Sequence, residues 1–81
     1  ENRYDVDAKI NIRELESFLN VELPDDDDFD TLGGFVLSLK GSFPSKGEVI
    51  IYNNLSILVK EIKKRRIIRL EIIKKIPDNT N

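Results

Sequence analysis

Residues 48–76 read EVIIYNNLSILVKEIKKRRIIRLEIIKKI, three apolar runs separated by two polar turns. Runs this short and rich in Ile and Val, bounded by turn residues, predict β-strands. Glu48 to Tyr52 is the first, Asn53-Asn54 its hairpin turn, and Leu55 to Ile62 the second. Asn tolerates positive φ, which a type I′ turn demands at both central positions. Lys63-Lys64-Arg65-Arg66 forms a second, charged turn, and Ile67 to Ile76 the third strand. Alternation puts Ile68, Leu70 and Ile72 on one face of that strand and Arg69 and Glu71 on the other. Ile57 and Val59 on the middle strand, and Ile50 and Tyr52 on the first, are the expected inward partners.

Upstream of this meander, Ser42 to Gly47 is a turn-rich connector, and Leu32, Phe35, Val36 and Leu39 recur at helical spacing. Gly41 is placed to end that helix in the left-handed conformation. The helix opens from Phe29-Asp30-Thr31-Leu32, with Asp28 or Asp30 as the expected N-cap. Gly33-Gly34 inside it costs about 0.5–1 kcal/mol per residue relative to Ala, which predicts close backbone packing there. A first helix follows Asn11, with Glu14 in capping-box position and Ile10 and Leu15 placed as a hydrophobic staple. Its apolar stripe is Ile12, Leu15, Phe18 and Leu19. Before it, Arg3 to Ala8 alternates as a half-buried strand with Tyr4, Val6 and Ala8 on one face.

The predicted fold is α+β, in the order β-α-α-β-β-β, with an antiparallel sheet and two helices on one face. The domain is expected over residues 1–76, with 77–81 a flexible tail. Eighty-one residues allow one core, burying roughly 60% of the unfolded chain's surface. The chain opens on Glu1 without Met or a signal-peptide pattern, so a piece of a longer protein is expected. No apolar run approaches the ~20 residues of a membrane-spanning helix.

Composition narrows the chemistry. The chain has neither Cys nor His, which removes thiol nucleophiles, the usual general base and the common ligands of zinc, copper and iron. No Ser sits in a nucleophile-elbow motif, and the carboxylates cluster where solvent keeps them ionised, so no catalytic residues and no enzyme activity are expected. Charge is divided along the chain: residues 1–30 hold 11 acidic and 3 basic side chains, residues 31–81 hold 4 and 10.

Asp25 to Asp28, continued at Asp30, could ligate magnesium or calcium, which prefer oxygen. The EF-hand template fails. With Asp26, Asp28 and Asp30 at loop positions 1, 3 and 5, Thr31 stands where Gly is needed and Leu37 where a bidentate Glu is needed. The default reading is a solvated loop that caps a helix; Asp26, Asp28 and Asp30 are the only candidate metal ligands, and no cofactor is expected beyond weak magnesium or calcium there. Gly33-Gly34 lacks any surrounding phosphate-loop pattern. The basic turn, flanked by Lys60, Arg69, Lys74 and Lys75, has no interleaved aromatics, so nucleic acid is not expected as a partner. A solvated turn is the default, with the inner membrane leaflet or an acidic surface of the parent protein as alternatives.

Several of these segments together resemble the transporter-associated domain of the CorC and hemolysin C-like family. They are Ile12-Arg13-Glu14-Leu15, the run Leu23-Pro24-Asp25-Asp26-Asp27-Asp28-Phe29-Asp30-Thr31-Leu32-Gly33-Gly34-Phe35-Val36-Leu37, then Gly41, Pro44, Gly47-Glu48-Val49 and Arg65-Arg66-Ile67. The resemblance runs from Tyr4 to Ile72 and departs at Lys63 to Arg66, where the family has an Asp-Gly-type turn. It implies a fold of the FAD-binding/transporter-associated group without bound flavin. It also implies a cytoplasmic C-terminal domain behind a CBS pair, in a protein with a membrane domain linked to magnesium and cobalt efflux. The implied role is regulatory or accessory, with divalent-cation sensing by Asp25 to Asp30 as the alternative. The implied partners are the CBS pair and membrane domain of the parent chain; homodimerisation stays open.

Overall fold

The computed structural model describes residues 3–75. The chain runs β1 (Arg3–Asp7), α1 (Ile12–Leu19), α2 (Leu32–Lys40), β2 (Val49–Tyr52), β3 (Leu55–Lys63) and β4 (Arg66–Lys74). The strands form one antiparallel sheet in the order β1-β4-β3-β2. The predicted α+β order is the observed one. Ile76, expected to end the last strand, and the expected tail at 77–81 lie outside the described residues.

Register decides which side chains enter the core. Tyr4, Ile72, Ile57 and Ile50 stand opposite one another across the four strands, and Val6, Leu70 and Val59 form a second row. Because side chains alternate along each strand, both rows share a face. Ile57, Val59, Leu70 and Ile72 are fully buried, in one cluster with Ile12, Leu15 and Leu19 of α1 and Leu32, Phe35 and Val36 of α2. Both helices therefore cover the same side of the sheet. Full burial of one such side chain contributes about 1.5–3 kcal/mol. Tyr52, predicted inward, is half-buried, its ring edge-on to Phe35 at 5.2 Å.

The opposite face of the sheet is only partly solvated. Val49 and Ile51 are exposed there, as the phase chosen from sequence requires. Glu71, assigned to that outer face, is nevertheless buried. It lies directly opposite Asp5, a like-charge pairing that would destabilise the sheet by itself. Arg3 donates to Glu71 at 2.9 Å, Lys60 lies 4.0 Å from its other oxygen, and Arg69 Nε donates to Asp5 at 3.0 Å. The three cations neutralise the two carboxylates, and the side chains around Glu71 shield it.

Asn11 caps α1 as predicted, its Oδ1 accepting from the N–H groups of Arg13 (2.8 Å) and Glu14 (3.3 Å). Asn20, in the left-handed conformation at φ 57°, ends the helix, and Lys74 Nζ donates to the Leu19 carbonyl at 2.7 Å. Two members of the predicted stripes lie outside the core. Phe18 is exposed and sits edge-on to Tyr4 at the sheet margin, 5.4 Å between ring centres. Leu39, in the last turn of α2 before Gly41 closes it at φ 83°, is exposed. In that same turn Lys40 pairs with Glu48, and this hydrogen bond, with one from the Ser45 N–H, holds the Glu48 carboxyl below its ordinary range.

Candidate functional site

The acidic segment hangs from α1 by defined hydrogen bonds. Arg13 Nη2 donates to the Pro24 carbonyl at 2.6 Å, and Glu16 Oε2 accepts from the Leu23 N–H at 2.7 Å. Leu23 and Phe29, on either side of the four aspartates, are buried, and Phe29 packs on Phe35 with ring centres 5.3 Å apart. Between these anchors Asp25 to Asp28 are exposed. Asp26 Oδ1 accepts from the Asp28 N–H at 2.9 Å, a local turn that occupies one carboxylate oxygen. Asp30 is exposed as well, and its carbonyl accepts from the Ile12 N–H at 2.8 Å.

Neither Asp28 nor Asp30 caps α2. Thr31 does, its Oγ1 accepting from the Gly34 N–H at 3.2 Å, and the helix begins at Leu32 rather than at Phe29. The reason lies in the backbone. Thr31 forms an antiparallel bridge with Asn11, and the Leu32 N–H donates to the Ile10 carbonyl at 3.0 Å. The bridge holds Thr31 extended at φ −121°, ψ 164°, so Thr31 itself becomes the cap and the helix starts at the next residue.

The three candidate ligands Asp26, Asp28 and Asp30 thus lie along one exposed segment. Among the described residues no three acidic side chains are gathered to hold a metal ion. Asp25 lines a shallow hollow with Arg13, Glu22, Tyr52 and Asn53, which places that part of the loop beside the β2–β3 turn. In that turn Asn53 has φ 52°, and Asn54 is not among the described non-glycine residues with positive φ, so the expected type I′ geometry does not form there.

The type I′ pattern of positive φ at both centres appears instead in the β3–β4 turn, where Lys64 and Arg65 take φ 52° and 62°. Left-handed backbone at two non-glycine residues costs of order 1 kcal/mol each. The two turns cap opposite ends of β3, whose nine residues extend roughly 30 Å. The charge division of the sequence therefore becomes a spatial one, with Asp25 beside one end of β3 and the Lys63–Arg66 cations at the other, in a molecule 45 Å long.

Sequence reasoning did not foresee the recess beside this basic turn, because its walls come from Leu37, Phe43, Ile67 and Ile68, which lie in three separate segments. A large apolar residue, Phe43, within the turn-rich connector beside Pro44 was the available signal. No helix among the described residues is long and apolar enough to cross a membrane.

With this geometry established, comparison with known proteins is direct. Residues 1–75 match the family model of the transporter-associated domain, CorC_HlyC. Hemolysin C of Brachyspira hyodysenteriae is 32% identical over 80 residues, covering 99% of this chain and 30% of that protein. The crystal structure of a Mg2+ and Co2+ transporter (CorC) associated region from Neisseria meningitidis MC58 superposes with a TM-score of 0.85 at 25% identity, covering 93% of this chain and 91% of that one. The transporter-associated domain from a CBS domain protein of Porphyromonas gingivalis superposes with a TM-score of 0.76 at 25% identity, covering 90% and 88%. The chain spans between 22% and 30% of the length of the hemolysin C-type relatives it matches. The match over residues 1–75 and the 32% identity to hemolysin C across almost the whole chain lead to one conclusion: this chain belongs to the transporter-associated (CorC_HlyC) domain family.

Proposed function

We propose that this domain is a non-catalytic regulatory or accessory part of a larger, membrane-associated, CBS-containing protein, and that it modulates transport of a divalent cation of the magnesium or cobalt type at the cytoplasmic face. The observation that carries the reading is the match of residues 1–75 to the transporter-associated family. The close overlay on a CorC-associated region supports it. Two features of the chain are consistent with an accessory role. Without Cys or His it lacks the commonest nucleophile–base pairs. Among the described residues the one clearly shifted carboxyl, Glu48, belongs to a surface ion pair.

The test is deletion of residues 1–75 from the parent protein, followed by measurement of cobalt and magnesium efflux from loaded cells. A changed flux or a changed dependence on ion concentration is expected. Flux identical to the intact protein, at equal expression, overturns the proposal. Direct cation sensing by Asp26, Asp28 and Asp30 is the competing reading. Calorimetric titration of the domain with magnesium and calcium separates the two, and heat at sub-millimolar ion that disappears in Asp26→Asn/Asp28→Asn would favour it.

A further inference from the structure

The recess beside the basic turn combines two properties that solvent alone does not explain. Its apolar lining is Leu37, Phe43, Ile67 and Ile68, and Phe43 and Leu37 keep about two fifths of their surface open. Its rim carries Lys9, Arg65 and Arg66. None of the five ion pairs among the described residues uses any of these three cations, although Arg3, Lys60 and Arg69 on the neighbouring sheet face are all paired. Arg65 is held there by a left-handed turn residue conformation that disfavours a large side chain.

We propose that this recess docks an acidic peptide segment of a protein partner, which seats one large apolar side chain between Phe43 and Ile68 while its flanking carboxylates meet Lys9, Arg65 and Arg66. Charge complementarity selects the occupant. Three cations outside the ion pairs of the described residues, around an apolar floor, match carboxylates flanking a hydrophobic residue, and Arg–carboxylate contacts can be bidentate. Shape favours a peptide over the alternatives. A volume of about 270 Å³ takes a side chain or two and lies at the small end of the roughly 300–1,000 Å³ of most small-molecule sites. The inference is independent of the ion-transport reading, since it concerns only what this surface binds.

The probe is a fluorescein-labelled hexapeptide with central Leu-Phe flanked by two Glu on each side, titrated into the domain by fluorescence polarisation, with amide shifts of the ¹⁵N-labelled domain read in parallel. Saturable binding is expected, with the largest shifts at Lys9, Gly33, Phe43 and Ile68. Binding should weaken at least about tenfold in Arg65→Glu/Arg66→Glu and in Phe43→Ser, and should fall as salt rises. Both variants change exposed side chains, and an unaltered circular-dichroism melt checks that they fold. Three results overturn the proposal. One is no saturable binding at millimolar peptide. Another is equal binding of a peptide with Ser-Ser in place of Leu-Phe, which would mean diffuse charge attraction. The third is sedimentation with phosphatidylglycerol vesicles that depends on Arg65 and Arg66 while the peptide does not bind, which would assign the surface to membranes.

Discussion

Gly34 sits where α2 is pressed hardest against its own lead-in. A Cβ added there would lie 2.9 Å from the Phe29 Cβ, closer than real side chains approach, and Phe29 is fixed by burial and by its contact with Phe35. At Gly33 the added atom would meet the Ala8 Cβ and carbonyl oxygen at 3.3 Å, and the Gly33 N–H donates to that carbonyl at 2.9 Å. The two glycines therefore serve different contacts, one with the segment after β1 and one with the end of the acidic loop. Overpacking costs roughly 1–3 kcal/mol, and Gly to Ala inside a helix returns about 1 kcal/mol. Gly34→Ala should therefore be destabilising by up to about 2 kcal/mol in urea unfolding. Gly33→Ala should fall nearer neutral, because a contact a few tenths of an ångström too close can be relieved by a small shift. A midpoint for Gly34→Ala at or above the parent's would mean the Phe29 contact is slack.

At the scale of elements, the two hairpins differ from their sequence signals in an instructive way. Asn53-Asn54 carries the residues expected of a type I′ turn, yet Lys64-Arg65 is the pair with positive φ at both centres. Antiparallel registers leave two residues in each hairpin loop, which favours primed turns in a right-twisted hairpin; both loops carry positive φ at the first centre, and Lys64-Arg65 carries it at the second as well although neither side chain favours it. Register thus overrides local preference. Lys64→Asn/Arg65→Gly supplies the favoured pair, and the unfolding midpoint should rise by an amount equivalent to about 1 kcal/mol. The same variant should bind the acidic peptide more weakly, since it removes a rim cation; a lowered midpoint would show that Lys64 and Arg65 are not strained. Helix boundaries were legible where side chains alone decide them, as at Asn11 and Gly41. They were not legible at Thr31, where a backbone bridge to a distant residue moves the start of α2.

For the whole molecule, the decisive non-local event is the return of β4 to lie between β1 and β3. Alternation along residues 48–76 already implied a three-stranded meander, and the β-α-α-β-β-β order with its core side chains followed from periodicity. That β1 completes the sheet on the far side of β4, and that Glu71 is sealed by Arg3 from sixty-eight residues away, could not be read from spacing. The exposed acidic segment was legible as a solvated loop because four successive aspartates cannot be buried without partners; the recess was not, because no single segment carries it. Closure by β1 makes a strong demand on the rest of the chain. Native domains of this size are stable by about 4–12 kcal/mol at 0.05–0.15 kcal/mol per residue. Deleting residues 1–9 removes Val6 and Ala8 from the core, takes the carbonyl from the Gly33 N–H and uncovers one edge of β4 along Leu70 and Ile72. At about 1.5–3 kcal/mol for each large apolar side chain returned to water, the loss is comparable with the whole stability. The shortened chain should lose its cooperative urea transition and the protection of β4 amides from hydrogen exchange, while Val6→Ala, which leaves the ladder intact, should keep a cooperative transition at a lower midpoint. A cooperative transition of undiminished slope in the shortened chain would show that α1, α2 and the β2–β4 meander fold without their first strand.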